Sequence, residues 1–211
     1  MQKSDRFLLS ALLAFSGGFQ DAYTYIARGK VFANAQTGNL VLLSVNLMEG
    51  EYATALHYIW PLLAFACGVF AAEQIGSRRH RDARLHWRQK VLLAEIILLA
   101  GAAFVPERYN TLANMLVSFS CAMQVEAFRH AEGNSYASTM IIGNLRSGVS
   151  NLSVWLREKD SAHRKAALFF FSIIVIFGIG GGIGGIMSLR IGMKAVLVCP
   201  LILLLGCLYM K

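Results

Sequence analysis

The sequence predicts an all-α, polytopic transmembrane helix bundle, and three observations lead to this fold class. The mean hydropathy is +0.51, and 56% of the 211 residues are hydrophobic. Only 15% of the residues are charged, whereas a soluble domain carries about 25%. The apolar residues also form long blocks, and a helix needs roughly 20 of them to cross the hydrocarbon layer.

Six apolar blocks are candidates for membrane helices: residues 7–19 (extendable past Asp21), 53–75, 91–105, 112–128, 166–187 and 191–209. The net charge of +8 comes from basic residues that lie between these blocks. In that position they determine topology, so we predict no nucleic-acid partner. The four cysteines lie inside apolar blocks without a C-x-x-C pair, so neither a metal site nor a cofactor is expected.

An internal repeat divides the chain. Residues 18–40 align without a gap with residues 123–145, which superimposes Asp21 on Glu126 and Gly38-Asn39 on Gly143-Asn144. We therefore predict a first repeat over residues 1–77 with its last helix at 91–109, and a second repeat over residues 110–211. A basic cytoplasmic loop, residues 78–90, separates the parts of the first repeat. The alternative is that small and polar residues recur wherever membrane helices pack closely.

The number of crossings depends on the two Gly-Asn segments. If each dips into the membrane and returns to the same side, the chain has six full crossings plus two short re-entrant segments. If each crosses, there are eight. The six-crossing arrangement puts more of the 20 lysines and arginines on the inner side, as the positive-inside rule favours. It also inverts the second repeat relative to the first, a common design of transporters.

Asp21 and Glu126 are the first candidate functional residues, since each lies late in a long helix. A carboxylate in a membrane helix is costly and usually marks a pathway or a proton relay. The alternative is that both lie at the membrane interface. Glu73 and Glu95 are close to the basic loop, where we expect interfacial ion pairs.

The second group of candidates is Thr37-Gly38-Asn39 together with Gly143-Asn144. At the start of a half-helix, free N–H groups and the helix dipole attract an anion or a polar solute. Two such elements from opposite faces would line a pore. The alternative is a packing seam with hydrogen-bonded asparagines. Arg146 needs a partner at membrane depth, and Asp21 or Glu126 is the expected one.

The glycine-rich stretch 178–185 has no following Lys-Ser or Lys-Thr, so it is not a nucleotide loop. Gly180 and Gly184 are four residues apart and predict tight helix packing or dimerisation. Catalytic motifs such as H-E-x-x-H and G-x-S-x-G are absent from the sequence, so we do not expect an enzyme.

The stretches Gly18-Phe-Gln-Asp-Ala-Tyr, Gly29-Lys-Val-Phe and Gln36-Thr-Gly-Asn-Leu40 resemble the YoaK-like family of bacterial multi-pass membrane proteins. The resemblance extends over nearly the whole chain. It implies a location in the bacterial inner membrane and supplies neither a substrate nor a reaction.

These observations predict a permease or channel for a small solute or ion, with proton coupling as an option and a polar pathway between the repeats. The rival prediction is a non-transporting scaffold or sensor subunit that acts through helix–helix contacts. Membrane lipid and the transported species are the expected partners, and a homo-oligomer is left open.

Overall fold

Helices make up most of the chain. The computed structural model describes residues 5–77 and 86–210, and within them eight α-helices accompany one short hairpin. The helices are α1 (Phe7–Ala27), α2 (Gln36–Met48), α3 (Tyr52–Ser77), α4 (Trp87–Ala102), α5 (Asn110–Ala127), α6 (Ile141–Glu158), α7 (Ser161–Ile191) and α8 (Val198–Met210). The hairpin pairs β1 (His130–Ala131) with β2 (Asn134–Ser135), and 3-10 helices cover Glu107–Tyr109 and Gly192–Leu197.

Local sequence signals account for several of these boundaries. His86 starts α4 with a capping box, in which its Nδ1 accepts from the Arg88 N–H and its own N–H donates to Gln89 Oε1. The Asp160 carboxylate caps α7 by accepting from the Ala162 N–H at 2.9 Å. Glu132 and Gly133 have φ angles of 50° and 77°, which suits the two-residue turn of the hairpin.

Two helix pairs, α1 with α7 and α3 with α5, make the most extensive contacts in the bundle. α1 packs on α7 and α3 packs on α5, while α2 lies on α3, α6 lies on α7, and α4 contacts α5 and α8. Glycines permit the close approach, because a Cβ at Gly18 would collide with the Phe177 carbonyl and one at Gly180 with the Phe15 carbonyl. Gly68 of α3 is covered in the same way by Phe119 of α5. The glycine face of α7 is therefore engaged within the chain.

The surface of the bundle is apolar and part of its interior is polar. Phe70, Ile97 and Leu189 are 68%, 70% and 75% exposed, whereas Gln20 and Glu95 are fully buried. Such a surface suits contact with lipid. Two described stretches, Tyr52–Ser77 and Ser161–Met210, are long and apolar enough to cross a membrane by length and composition. The all-α class is confirmed, and the number of crossings and the repeats remain predictions.

The predicted basic loop falls mostly outside the described residues, which resume at His86. Its last four residues, 87–90, already belong to α4. The predicted last helix of the first repeat, residues 91–109, is therefore displaced: α4 ends at Ala102, and a short 3-10 helix follows Pro106.

Candidate functional site

The start of α2 and the start of α6 border one cavity of about 490 Å³, which we call the tip cavity. Both helices begin here, at Gln36 and Ile141. The lining residues come from α1, α3 and α7 as well as from the two helix starts: Asp21, Asn34, Ala35, Gln36, Thr37, Leu62, Phe65, Ala66, Thr139, Met140, Ile141, Ile142 and Phe177. The cavity thus brings the two candidate halves of the site together.

The first return loop, residues 28–35, leads from the end of α1 back to the middle of that helix. The Asn34 side chain donates to the Gly17 carbonyl at 3.1 Å, and the Ala33 N–H donates to Thr24 Oγ1 at 3.1 Å. The Asn34 N–H donates to Asp21 Oδ1 at 2.7 Å. Asp21 therefore anchors the loop just before α2 starts, with the carboxylate at the edge of the tip cavity.

The second return loop, residues 128–140, reaches the same part of α1 from the other end of the bundle. Gln124 of α5 donates to Ser138 Oγ at 2.6 Å and to the Leu13 carbonyl at 3.3 Å. Thr139 packs against Gly17, where a Cβ would collide with the threonine methyl group. Gly17 is therefore the point of α1 that both return loops touch.

The two asparagines of the Gly-Asn pairs make equivalent hydrogen bonds. Asn39 donates to the Phe32 carbonyl at 2.7 Å and accepts from the Phe32 N–H at 3.1 Å. Asn144 donates to the Ala137 carbonyl at 2.7 Å and accepts from the Ala137 N–H at 3.4 Å. In each case the side-chain amide both donates to and accepts from the backbone of the residue seven positions earlier. The amides thus fasten the return loops and are not free to hold a solute in this conformation, and they do not bond across a seam between helices.

The starts of α2 and α6 lack side-chain caps, because Ala35 and Met140 occupy the cap positions. The first N–H groups of a helix carry partial positive charge. With both helices starting at one cavity, these groups and the Asp21 carboxylate give it a mixed polar character. Thr139 Oγ1 adds a buried hydroxyl without a protein partner.

The remaining predicted residues lie elsewhere or play other roles. Gly38 packs against the Phe32 ring, and a Cβ at Gly143 would meet open space. Glu126 lies in a second cavity of about 320 Å³ with Glu73 and Trp87. It pairs there with Arg129 at 3.2 Å, so the expectation that it would pair with Arg146 is wrong. Arg146 is exposed, and the described residues include no ion pair for it.

The prediction that Glu95 forms an interfacial ion pair is also wrong. Its side chain is fully buried, and Gln20 of α1 donates to its Oε1 at 3.5 Å. Helical spacing explains the error, because Glu95 follows Lys90 by more than one turn and turns inward with its buried neighbours Leu92 and Leu99. The apolar residues on both sides of Glu95 were the signal that favoured an interior position.

Arg28 is a further residue that sequence reasoning missed. It is fully buried, and it donates to Tyr23 Oη, to the carbonyls of Ala102 and Val105, and to Asn110 Oδ1 at 2.6–3.0 Å. The Ala102 carbonyl ends α4, so the guanidinium lies at the negative end of that helix dipole. Arg28 therefore ties the end of α1 to α4 and α5.

The described residues contain no group of three or more His, Cys, Asp or Glu side chains that could hold a metal ion. Gly180 and Gly184 both pack on α1, against Phe15 and Phe19. The tip cavity is lined by a carboxylate, two helix starts, and hydroxyl and amide groups.

Comparison with known proteins gives the family. Residues 9–209 match the family described as Protein of unknown function (DUF1275), and the chain belongs to it. The UPF0700 transmembrane protein YoaK of Bacillus subtilis (strain 168) is 27% identical over 177 residues, which cover 79% of this chain and 77% of that protein. No solved structure matches. The resemblance to YoaK-like proteins is thus confirmed, and with the apolar surface it indicates a membrane protein.

Proposed function

We propose that this member of a transmembrane family is a permease or channel for a small solute or ion, located in the bacterial inner membrane, with the tip cavity on its pathway. The observation that carries the proposal is that two helix starts and a carboxylate line one cavity. Helix starts at the middle of a membrane are a recurrent way to bind transported species.

We assign six crossings, with α2 and α6 as re-entrant half-helices. Asn34 contacts Gly17 in the middle of α1, although α1 has already ended at Ala27. α2 then leads to α3, whose His57 lies beside Gly29 and Thr111 near the end of α1 and the start of α5. The segment made of the first return loop and α2 therefore begins and ends on the same face of the bundle. At 13 residues, α2 is about 20 Å long, too short to span the hydrocarbon layer.

Contacts in the second half of the chain support entry of α6 from the face opposite to that of α2. The hairpin after α5 contacts the start of the chain, where the Glu132 N–H donates to the Asp5 carbonyl at 2.8 Å. α6 returns from the tip cavity to α7, and Asn151 bonds His163 at 2.8 Å near the start of α7. The repeat alignment relates α1 to α5 and α3 to α7. The contact of α1 with α7 therefore corresponds to the contact of α5 with α3, and both are present. These relations support two inverted repeats.

The cavity combines partial positive charge at the helix starts with the negative charge of Asp21, which favours a species that can interact with both. The dipoles of the two helix starts attract partial negative charge, although the Gln36 and Gly38 N–H groups of α2 already donate to the Asn34 and Ala35 carbonyls. The Asp21 carboxylate attracts a cation or a proton. Because Asn39 and Asn144 hold the loops, Asp21, Thr139 and the backbone of residues 35–37 and 140–142 would contact the solute. A polar solute with both donor and acceptor groups fits this arrangement best.

Purified protein in proteoliposomes tests the proposal with a panel of small polar solutes and monovalent ions. Ala66 of α3 lines the cavity, so Ala66→Trp should fill it and lower the flux of any transported species about tenfold or more. Leu63→Trp, at an exposed position of α3 outside the cavity, is the matched control and should keep the flux. If no panel member moves, or if both variants lower flux equally, the cavity is not the pathway.

A further inference from the structure

We propose that Glu95 is a second, separate site that binds a proton and holds it inside the bundle in this conformation. The carboxyl group lies on α4, whereas the tip cavity lies on the other side of α1. The proposal concerns the ligand of this buried group, and its part in transport rests on the function proposed above.

The first observation is that Glu95 is buried and forms no ion pair with any of the described residues. The Glu95 side chain is 0% exposed, and its Oε2 has no hydrogen-bond partner. An ionised carboxylate removed from water without a cation costs so much free energy that such a group normally takes up a proton instead. In the neutral acid, the charge is gone and one oxygen becomes a donor.

The second observation is a set of neutral polar groups around the carboxyl. Gln20 donates to Glu95 Oε1 at 3.5 Å and to Ser16 Oγ at 2.9 Å, and it accepts from Cys121 Sγ at 2.7 Å. An amide serves either form of the acid: its NH₂ donates to a carboxylate, and after half a turn its oxygen accepts from the acid O–H. Gln20 is therefore suited to a partner that changes protonation.

The titratable and charged groups nearby do not replace the proton. α5 contributes the thiol of Cys121, α8 contributes the thiol of Cys199, and α1 contributes Asp21, a further acid. The cations on α4 and on the segment 192–197 lie toward the two ends of the bundle. Arg88 pairs with Asp5, and Lys90 lies in the first turn of α4. Lys194 is exposed and lies over the Phe104 ring. Within residues 5–77 and 86–210, the ion pairs Arg88–Asp5 and Arg129–Glu126 do not involve Glu95.

A connection to the tip cavity runs through α1. Gln20 faces Glu95 while its neighbour Asp21 anchors the return loop at the cavity, and Cys121 lies between Gln20 and the Asn34 side chain. When Glu95 releases its proton, the O–H bond breaks, the proton goes to water admitted to the site, and the carboxylate keeps the bond from Gln20 Nε2. The charge left on Glu95 faces Gln20, the α1 neighbour of Asp21, so uptake of solute and proton can be linked.

Infrared spectroscopy of purified protein labelled with ¹³C-carboxyl glutamate tests the proton directly. The wild type at neutral pH should show the carbonyl stretch of a protonated glutamic acid, and this band should disappear in Glu95→Gln. Glu51→Gln, at an exposed loop position, is the control and should keep it. Glu95→Asp provides a second variant, because it removes the labelled band while it retains a carboxyl group. An acid region that is identical in wild type and Glu95→Gln overturns the proposal.

This result does not depend on flux, so it distinguishes failure of the proton site from failure of the transport function. Where flux is measurable, Glu95→Gln should abolish the dependence of flux on a pH gradient. A pH dependence that is unchanged in Glu95→Gln would overturn the role in coupling.

Discussion

The first and second return loops use the same fastening but different acids. Asn39 and Asn144 each hydrogen-bond the backbone of the residue seven positions earlier, Phe32 and Ala137 respectively. Asp21, by contrast, holds the first loop at the tip cavity, while Glu126 lies in another cavity and pairs with Arg129. The two asparagines therefore fasten the loops that precede α2 and α6, whereas of the two acids only Asp21 lines the tip cavity.

Removing the fastening should have the largest effect on stability, and more so in the first loop. Asn39→Ala loses three hydrogen bonds, including one to Gln36 at 2.9 Å, and leaves buried backbone groups unpaired, so we expect a loss of about 2 kcal/mol. Asn144→Ala loses two, one of them long, and should cost about 1 kcal/mol. Unfolding in detergent measures both.

Asn46→Ala is the control for this pair, because among the described residues the Asn46 side chain donates to the Leu42 carbonyl of its own helix and to no other group. It should change the free energy of unfolding by about 0.5 kcal/mol or less. A larger loss in Asn144→Ala than in Asn39→Ala, or equal losses in all three variants, would show that the asparagines do not fasten the loops.

The two acids should differ in flux rather than in stability. Asp21→Asn retains an oxygen that accepts from the Asn34 N–H and removes the charge at the cavity, so flux should fall about tenfold. Glu126→Gln removes an ion pair with a half-exposed arginine, which is worth at most about 1 kcal/mol, and should leave flux within about twofold. Proteoliposome assays of both variants measure this. Equal effects would mean that Glu126 is as close to the pathway as Asp21.

The sequence was sufficient to predict the helical class and to single out the two Gly-Asn segments. Blocks of apolar residues mark helices regardless of tertiary context, and the two Gly-Asn pairs lie in the first turns of α2 and α6. The repeat alignment also placed Asn39 opposite Asn144, and the hydrogen bonds of these residues to Phe32 and Ala137 follow the same alignment.

Side-chain partners were harder to predict, because they depend on which face of a helix turns inward. Glu95 was assigned to the basic loop from its distance along the chain, although one further helical turn takes it into the core. Arg28 was counted as a topology signal, yet its partners come from α4 and α5, more than 70 residues away. The role of the asparagines was also not readable, since the same amide serves a solute or a backbone.

The most direct test of the account is the sidedness of Lys30 and Glu158, which follow α1 and end α6 and are both exposed. Each is replaced by cysteine in a Cys67→Ala background and treated with a membrane-impermeant maleimide, in intact and in permeabilised cells. Two half-helices that enter from opposite faces predict labelling of Lys30→Cys in intact cells and of Glu158→Cys only after permeabilisation. The reverse pattern would mean that α2 and α6 cross the membrane and would contradict the account.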